Sequence, residues 1–345
     1  MALILISSER FAEHQTPPGH PECPERAAVM DVIAREWQRQ GGEVMAPPPA
    51  THEQLARVHD AGYLERIAGT AGRASVLDPD TYTSSESVEI ARLAAGAAVD
   101  AVERVMGGRQ QQALALVRPP GHHAERAQAM GFCIYNNIAV AAAHARTVGA
   151  ARVAIVDYDV HHGNGTQHLF ESSPDVLYIS THQFPYYPGT GAVAEIGRGP
   201  GEGFTINVPL AAGAVDADYQ LVFADVIAPA LRQFKPHLLL VSAGFDAHER
   251  DPLGGMRLTA GGFAAITMEL RRVAEECCEG RMAMVTEGGY DFLALAESLR
   301  AVVSVMSLDR VAAPDWPTSG SVPPSRGRTA VAAAKGALGS YWKLP

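Results

Sequence analysis

Apolar residues in this chain fall into short continuous runs separated by longer amphipathic stretches. Eight runs read as strands: residues 2–6, 43–46, 113–117, 152–157, 176–180, 204–208, 238–242 and 283–286. A strand with one wet face alternates apolar and polar positions, whereas most of these runs are unbroken. That pattern suits parallel strands covered on both faces. Residues 24–40, 87–106, 137–148, 217–233 and 259–278 instead repeat their apolar positions at helical spacing. Strand–helix alternation implies right-handed crossovers and a doubly wound α/β sheet. No internal repeat or long linker divides the chain, so residues 1–345 are expected to form one domain. A Pro/Gly/Ser-rich connection at 313–328 leads to a final helix at about 329–341, a tail expected to pack on that domain.

Open parallel sheets gather ligands beyond the carboxyl ends of their strands. Four predicted strand ends carry reactive side chains: "RPPGHHAE" with His122 and His123, "DYDVHHGNG", "AGFDAHERDP" with Asp246, and "EGGYD" with Tyr290. Residues two apart in an extended chain project to one side. Asp157, Asp159 and His161 are therefore expected to face one way and His162 the other. Asp159 and His161, joined by Asp246, make a set of two carboxylates and one imidazole. That set suits Zn²⁺ with one position left for water. Asp157 is left to accept a hydrogen bond from a histidine or to bind a second ion. A lone strand-end Asp is ordinarily a cap or turn former. It is the four loaded ends on one rim that favour chemistry. Two loops stand out: glycine-rich, aromatic 182–203, and 247–258, which follows a strand directly.

Composition narrows the function classes. The formal net charge is −10 and 47% of the 345 residues are hydrophobic. A large core is expected, with neither a nucleic-acid nor an anionic-membrane surface. Cys23, Cys133, Cys277 and Cys278 form no C-x-x-C pair, which reads as reduced thiols in a cytoplasmic protein. Cys133 is expected to be a packed side chain. "MALILISSER" reads as a first strand, not a signal peptide, and no apolar run reaches membrane-spanning length.

Together "PPGHPECPER", "RPPGHHAE", "GFCIYNN", "DYDVHHGNGTQ", "YPGTG", "SAGFDAHERDPLGG" and "TEGGY" resemble the histone deacetylase and acetylpolyamine amidohydrolase family. The resemblance is nearest to class II deacetylases and bacterial histone deacetylase-like amidohydrolases. It implies the arginase–deacetylase fold, with a mostly parallel eight-stranded sheet and helices on both faces. It also implies zinc-dependent hydrolysis of N-acetyl amides, with Asp159, His161 and Asp246 as zinc ligands. His123 would be the main general base and then acid. His122, paired to Asp157, would tune it, and Tyr290 would stabilise the oxyanion. Phe132, Tyr187, Leu253 and Gly131 would line the substrate tunnel, and Asp80 would orient substrate at its entrance unless it only forms a turn. Asp157, Asp159, His161, Ser180 and Thr181 match an inner potassium site.

Asn164 stands where class I enzymes carry Asp, so His123 should be less basic here. The implied partner is an acetylated lysine peptide or protein, or a small acetylated amine; self-association is left open. Leu253 tilts the reading from acetylpolyamines toward acyl-lysine. Two rivals remain: a binuclear manganese ureohydrolase using His248, and a non-catalytic binder of acyl ligands.

Overall fold

The computed structural model describes residues 3–317 and 323–345. Ala2, within the first predicted strand, and residues 318–322 of the predicted connection lie outside the described residues. The strands are β1 Leu3–Ile6, β2 Glu43–Met45, β3 Ser75–Asp78, β4 Thr81–Thr83, β5 Gln112–Ala115, β6 Val153–Asp157, β7 Val176–Gln183, β8 Thr205–Leu210, β9 Leu238–Ala243 and β10 Met282–Thr286. Eight form one sheet in the order β2-β1-β5-β10-β9-β6-β7-β8. Every neighbouring pair in it is parallel.

The unbroken apolar runs have the expected cause. Along β9, Leu239 and Val241 pack on one face of the sheet with helices Glu25–Arg39, Ala260–Cys278 and Phe292–Met306. Leu238 and Leu240 pack on the other with helices Ser87–Met106 and Asn137–Thr147. The central strand β9 is therefore apolar over Leu238–Val241 because both faces are covered. The C-terminal helix Ser325–Leu338 adds Val331, Ala334 and Leu338 to the first of these layers, and Trp342 follows them.

Four differences from the sequence reading have local causes. The predicted helix 217–233 is split into Asp216–Val222, a π-type turn Phe223–Ile227 and Ala228–Phe234. Pro229 has no N–H to continue an α ladder there. Strand β7 runs three residues past its predicted end because β8 pairs with it as far as Gln183–Leu210. The β3–β4 hairpin is outside the main sheet and too short to show a pattern. Helix Phe292–Met306 was not anticipated, although its Leu295, Leu299, Val302 and Met306 are buried at helical spacing.

Candidate active site

Strands β5, β10, β9 and β6 are adjacent in the middle of the sheet. They are the four whose carboxyl ends carry the tandem histidines, Tyr290, Asp246 and the Asp-x-Asp-x-His run. Chain connectivity scatters these segments over some 170 residues of sequence, and strand order brings them together.

One ligand atom from each of Asp159, His161 and Asp246 lies within 4.8 Å of the others. His161 Nδ1 is 3.1 Å from Asp159 Oδ1 and 3.1 Å from Asp246 Oδ2. Both carboxylates are fully buried. Burial and the neighbouring Asp159 charge push Asp246 up to about 7. Two such groups side by side call for a cation between them. The backbone is fitted to the cluster as well. Gly288 N–H donates to Asp159 Oδ2 at 2.8 Å, and a Cβ on Gly288 would meet Asp246 Oδ2 at 2.1 Å. One nitrogen and two carboxylate groups on a rigid strand-end frame fit a zinc ion.

The tandem histidines have opposite electrostatics. His122 Nδ1 is 3.0 Å from Asp157 Oδ2. Against the cost of burial, the Asp157, Asp159 and Glu287 carboxylates push His122 up to about 10. Burial lowers His123 well below its ordinary value, and the positive charges of His122 and His161 lower it further. His123 Nδ1 pairs with Asn164 Oδ1 at 2.7 Å, so that nitrogen carries the proton and Nε2 is the free base. His162 points elsewhere, to Thr190 Oγ1 and Gln167 Oε1, on the other side from His161 as expected.

A pocket of about 120 Å³ opens over these groups, lined by Asp80, His122, His123, Gly131, Phe132, His161, Tyr187, Leu253 and Tyr290. All four tunnel residues anticipated from the sequence line it. Gly131 has φ +56°, and a Cβ there would meet His123 Cδ2 at 2.5 Å, so only glycine fits. Phe132 and Tyr290 rings meet edge to face at 5.8 Å, and Tyr187 meets His123 at 5.2 Å. Asp80 Oδ1 accepts the hydroxyl of Thr81, whose oxygen accepts Phe132 N–H. Cys133 is buried, with its Sγ on Gly131 O at 3.2 Å. A larger cavity of about 1020 Å³, lined by Arg152, Phe204, Lys235 and Trp342 among others, lies at the opposite ends of the strands.

Sequence reading missed several residues here. Tyr186 and Pro120 also line the pocket, and Tyr186 stacks on His161 at 5.5 Å. Arg26 lies 4.9 Å over the Tyr290 ring and donates to the carbonyls of Glu287 and Gly289. The doublet in "PYYPG" was a signal for Tyr186; nothing local marked Arg26. His248, a candidate second-metal ligand, instead stacks on Phe263 and accepts Arg250 N–H. Among the described residues only Asp159, His161 and Asp246 form a metal-ligand group, which removes the support for the binuclear reading. At the inner candidate ion site, Asp157 pairs in register with Ser180, whose Oγ lies 2.9 Å from His182 Nδ1. Thr181 Oγ1 is buried without a hydrogen-bond partner. Among the described residues no helix is long and apolar enough to cross a membrane.

Comparison with known proteins identifies the family. Residues 20–306 match the histone deacetylase domain family. Histone deacetylase 14, chloroplastic, of Arabidopsis thaliana is 38% identical over 329 residues, covering 88% of this chain and 78% of the relative. The histone deacetylase-like amidohydrolase of Pseudomonas aeruginosa is 43% identical over 288 residues, covering 79% of this chain and 73% of its own. Human polyamine deacetylase HDAC10 is 38% identical, covering 94% of this chain and 50% of its own. The crystal structure of the HDA15 HD domain superposes with a TM-score of 0.91 at 35% identity, covering 99% of this chain and 95% of that one. The chain therefore belongs to the histone deacetylase domain family, hydrolases of acetylated substrates, and has the arginase–deacetylase fold.

Proposed function

We propose that this protein hydrolyses N-acetyl amides, most readily acetyl-lysine side chains of peptides or proteins, with a zinc ion held by Asp159, His161 and Asp246. The convergence of those three side chains beneath the tandem histidines carries the reading. A bound zinc ion would supply Lewis acidity to the acetyl carbonyl and to water. The protein's own groups do the rest. His123 Nε2, neutral and oriented through Asn164, takes a proton from the attacking water and returns it to the departing amine. His122, held cationic by Asp157, stabilises negative charge as it develops. The Tyr290 hydroxyl, kept protonated by burial, donates to the oxyanion. Phe132 and Tyr187 accept a straight alkyl stem and keep water away from it. Asp80 positions the substrate at the mouth.

A potassium ion held by Asp157, Asp159, His161, Ser180 and Thr181 would brace the site from within. The unpartnered Thr181 Oγ1 is the feature that supports it.

Acetylpolyamines are the second substrate reading, favoured by the name of the human relative and by Asp78 and Asp80 near the mouth. Leu253 on the lining weighs the other way. Purified protein should be assayed on acetyl-lysine peptides and on acetylspermidine and acetylputrescine, before and after chelation. The expected result is faster cleavage of the peptide, lost on metal removal and restored by zinc. Full activity in exhaustively demetallated protein would refute the metal assignment. Hydroxamate binding without turnover of any substrate would leave a non-catalytic binder.

A further inference from the structure

We propose that Glu287 is a positioning residue that fixes the tandem-histidine loop against the Tyr290 loop through its carboxylate oxygens. The inference rests on the deacetylase reading given above. Between β5 and His122 the chain has no regular structure, and Pro119 and Pro120 have no N–H to anchor it. The first backbone donors before the base are those of Gly121 and His122. Both go to one atom: Glu287 Oε2 accepts Gly121 N–H at 2.7 Å and His122 N–H at 3.2 Å. Oε1 accepts the Ser242 hydroxyl of β9 at 2.9 Å. Glu287 itself is the first residue beyond β10, three before Tyr290, and its backbone N–H is fixed on Ala243 O. A single fully buried side chain thus ties three adjacent strand ends together.

The carbonyl side of the same loop is held independently, with His122 O accepting from Thr166 N–H. Glu287 therefore controls the donor side. Positioning demands an acceptor in the right place; the Glu287 charge also raises His122, but less than Asp157 and Asp159, which both remain in a glutamine variant. Burial pushes the Glu287 carboxyl up to about 7, so the charge is only weakly favoured there. A glutamine can serve the same three groups. Its carbonyl accepts both amides, and its NH₂ donates to Ser242 Oγ, whose hydroxyl accepts as readily as it donates. An aspartate keeps the charge but is one methylene too short to reach them.

The test compares Glu287→Gln with Glu287→Asp in steady-state cleavage of an acetyl-lysine peptide, with melting temperature measured alongside. We expect Glu287→Gln to keep kcat within about threefold. Glu287→Asp should lose about tenfold or more in kcat with KM unchanged, because a displacement near 1 Å at a reacting group is costly. A charge role predicts the opposite order, and a purely structural role predicts lower melting temperatures with unchanged kcat; either result overturns the inference alone. A zinc-loaded wild-type protein inactive on every acetylated substrate overturns the deacetylase reading itself, and this inference with it.

Discussion

At the scale of single residues, the site works by giving similar side chains different environments. His122 and His123 are neighbours in sequence, with ring centroids 4.1 Å apart, yet one faces carboxylates and the other an amide. Asn164→Asp should reverse part of that difference. A carboxylate on Nδ1 favours the protonated ring, so the His123 pKa rises. Because the proposed mechanism needs the neutral ring, the acid limb of kcat/KM should move to higher pH, and a pH–rate profile will show it. On the proposed mechanism Tyr290 donates only to charge that appears during reaction. Tyr290→Phe should lower kcat about 10²-fold or more with little change in KM, measured under saturating peptide. The pairing of reactive types in "DYDVHHGNG" was readable from the sequence because Asp159 and His161 are two residues apart. Their separation from Asp157 was less so. Asp157 turns to His122 and Tyr178 because β6 ends there and strict alternation ends with it.

At the scale of elements, the β3–β4 hairpin reaches the pocket from outside the main sheet. Thr81 Oγ1 receives Phe132 N–H at 3.0 Å, at a residue whose φ of +70° is costly without support. Thr81→Val keeps the shape and removes the acceptor. The expected outcome is a several-fold rise in KM for peptide substrates with kcat nearly unchanged, since the hairpin touches the tunnel wall and not the reacting atoms. The main strands were legible because burial on both faces leaves an unbroken apolar run. The hairpin was not, because strands of three and four residues are too short to carry a period. Helix 217–233 was legible as a helix but not in its internal turn, which depends on one proline within it.

At the scale of the whole molecule, a buried ion cluster joins the N-terminal segment to the central strands. Glu22 pairs with Arg118 at 2.6 Å and with Arg26 at 3.2 Å, and all three are fully buried. Burial alone would raise the Glu22 carboxyl; Arg118 and His14 override it and hold it well below the usual carboxylate range. A depressed folded-state value stabilises the fold fully above the unfolded carboxylate range. That stabilisation is lost as pH falls toward the folded value. Glu22→Gln should therefore cost about 3–5 kcal/mol near neutral pH, because Arg118 stays buried without its partner. Denaturant unfolding at pH 7 and pH 3 should show the difference between wild type and variant shrinking on acidification. The sequence by itself determined the parallel α/β architecture, since two-sided burial must appear as continuous apolar strands. It also determined the inventory of reactive groups at four strand ends. Only the tertiary structure decided that β5, β10, β9 and β6 are neighbours, how each histidine is set against its partner group, and that Arg26 and Glu287 brace the loops from behind. Those facts depend on strand order and on contacts between residues from 35 to 261 positions apart, and a local pattern holds no record of either.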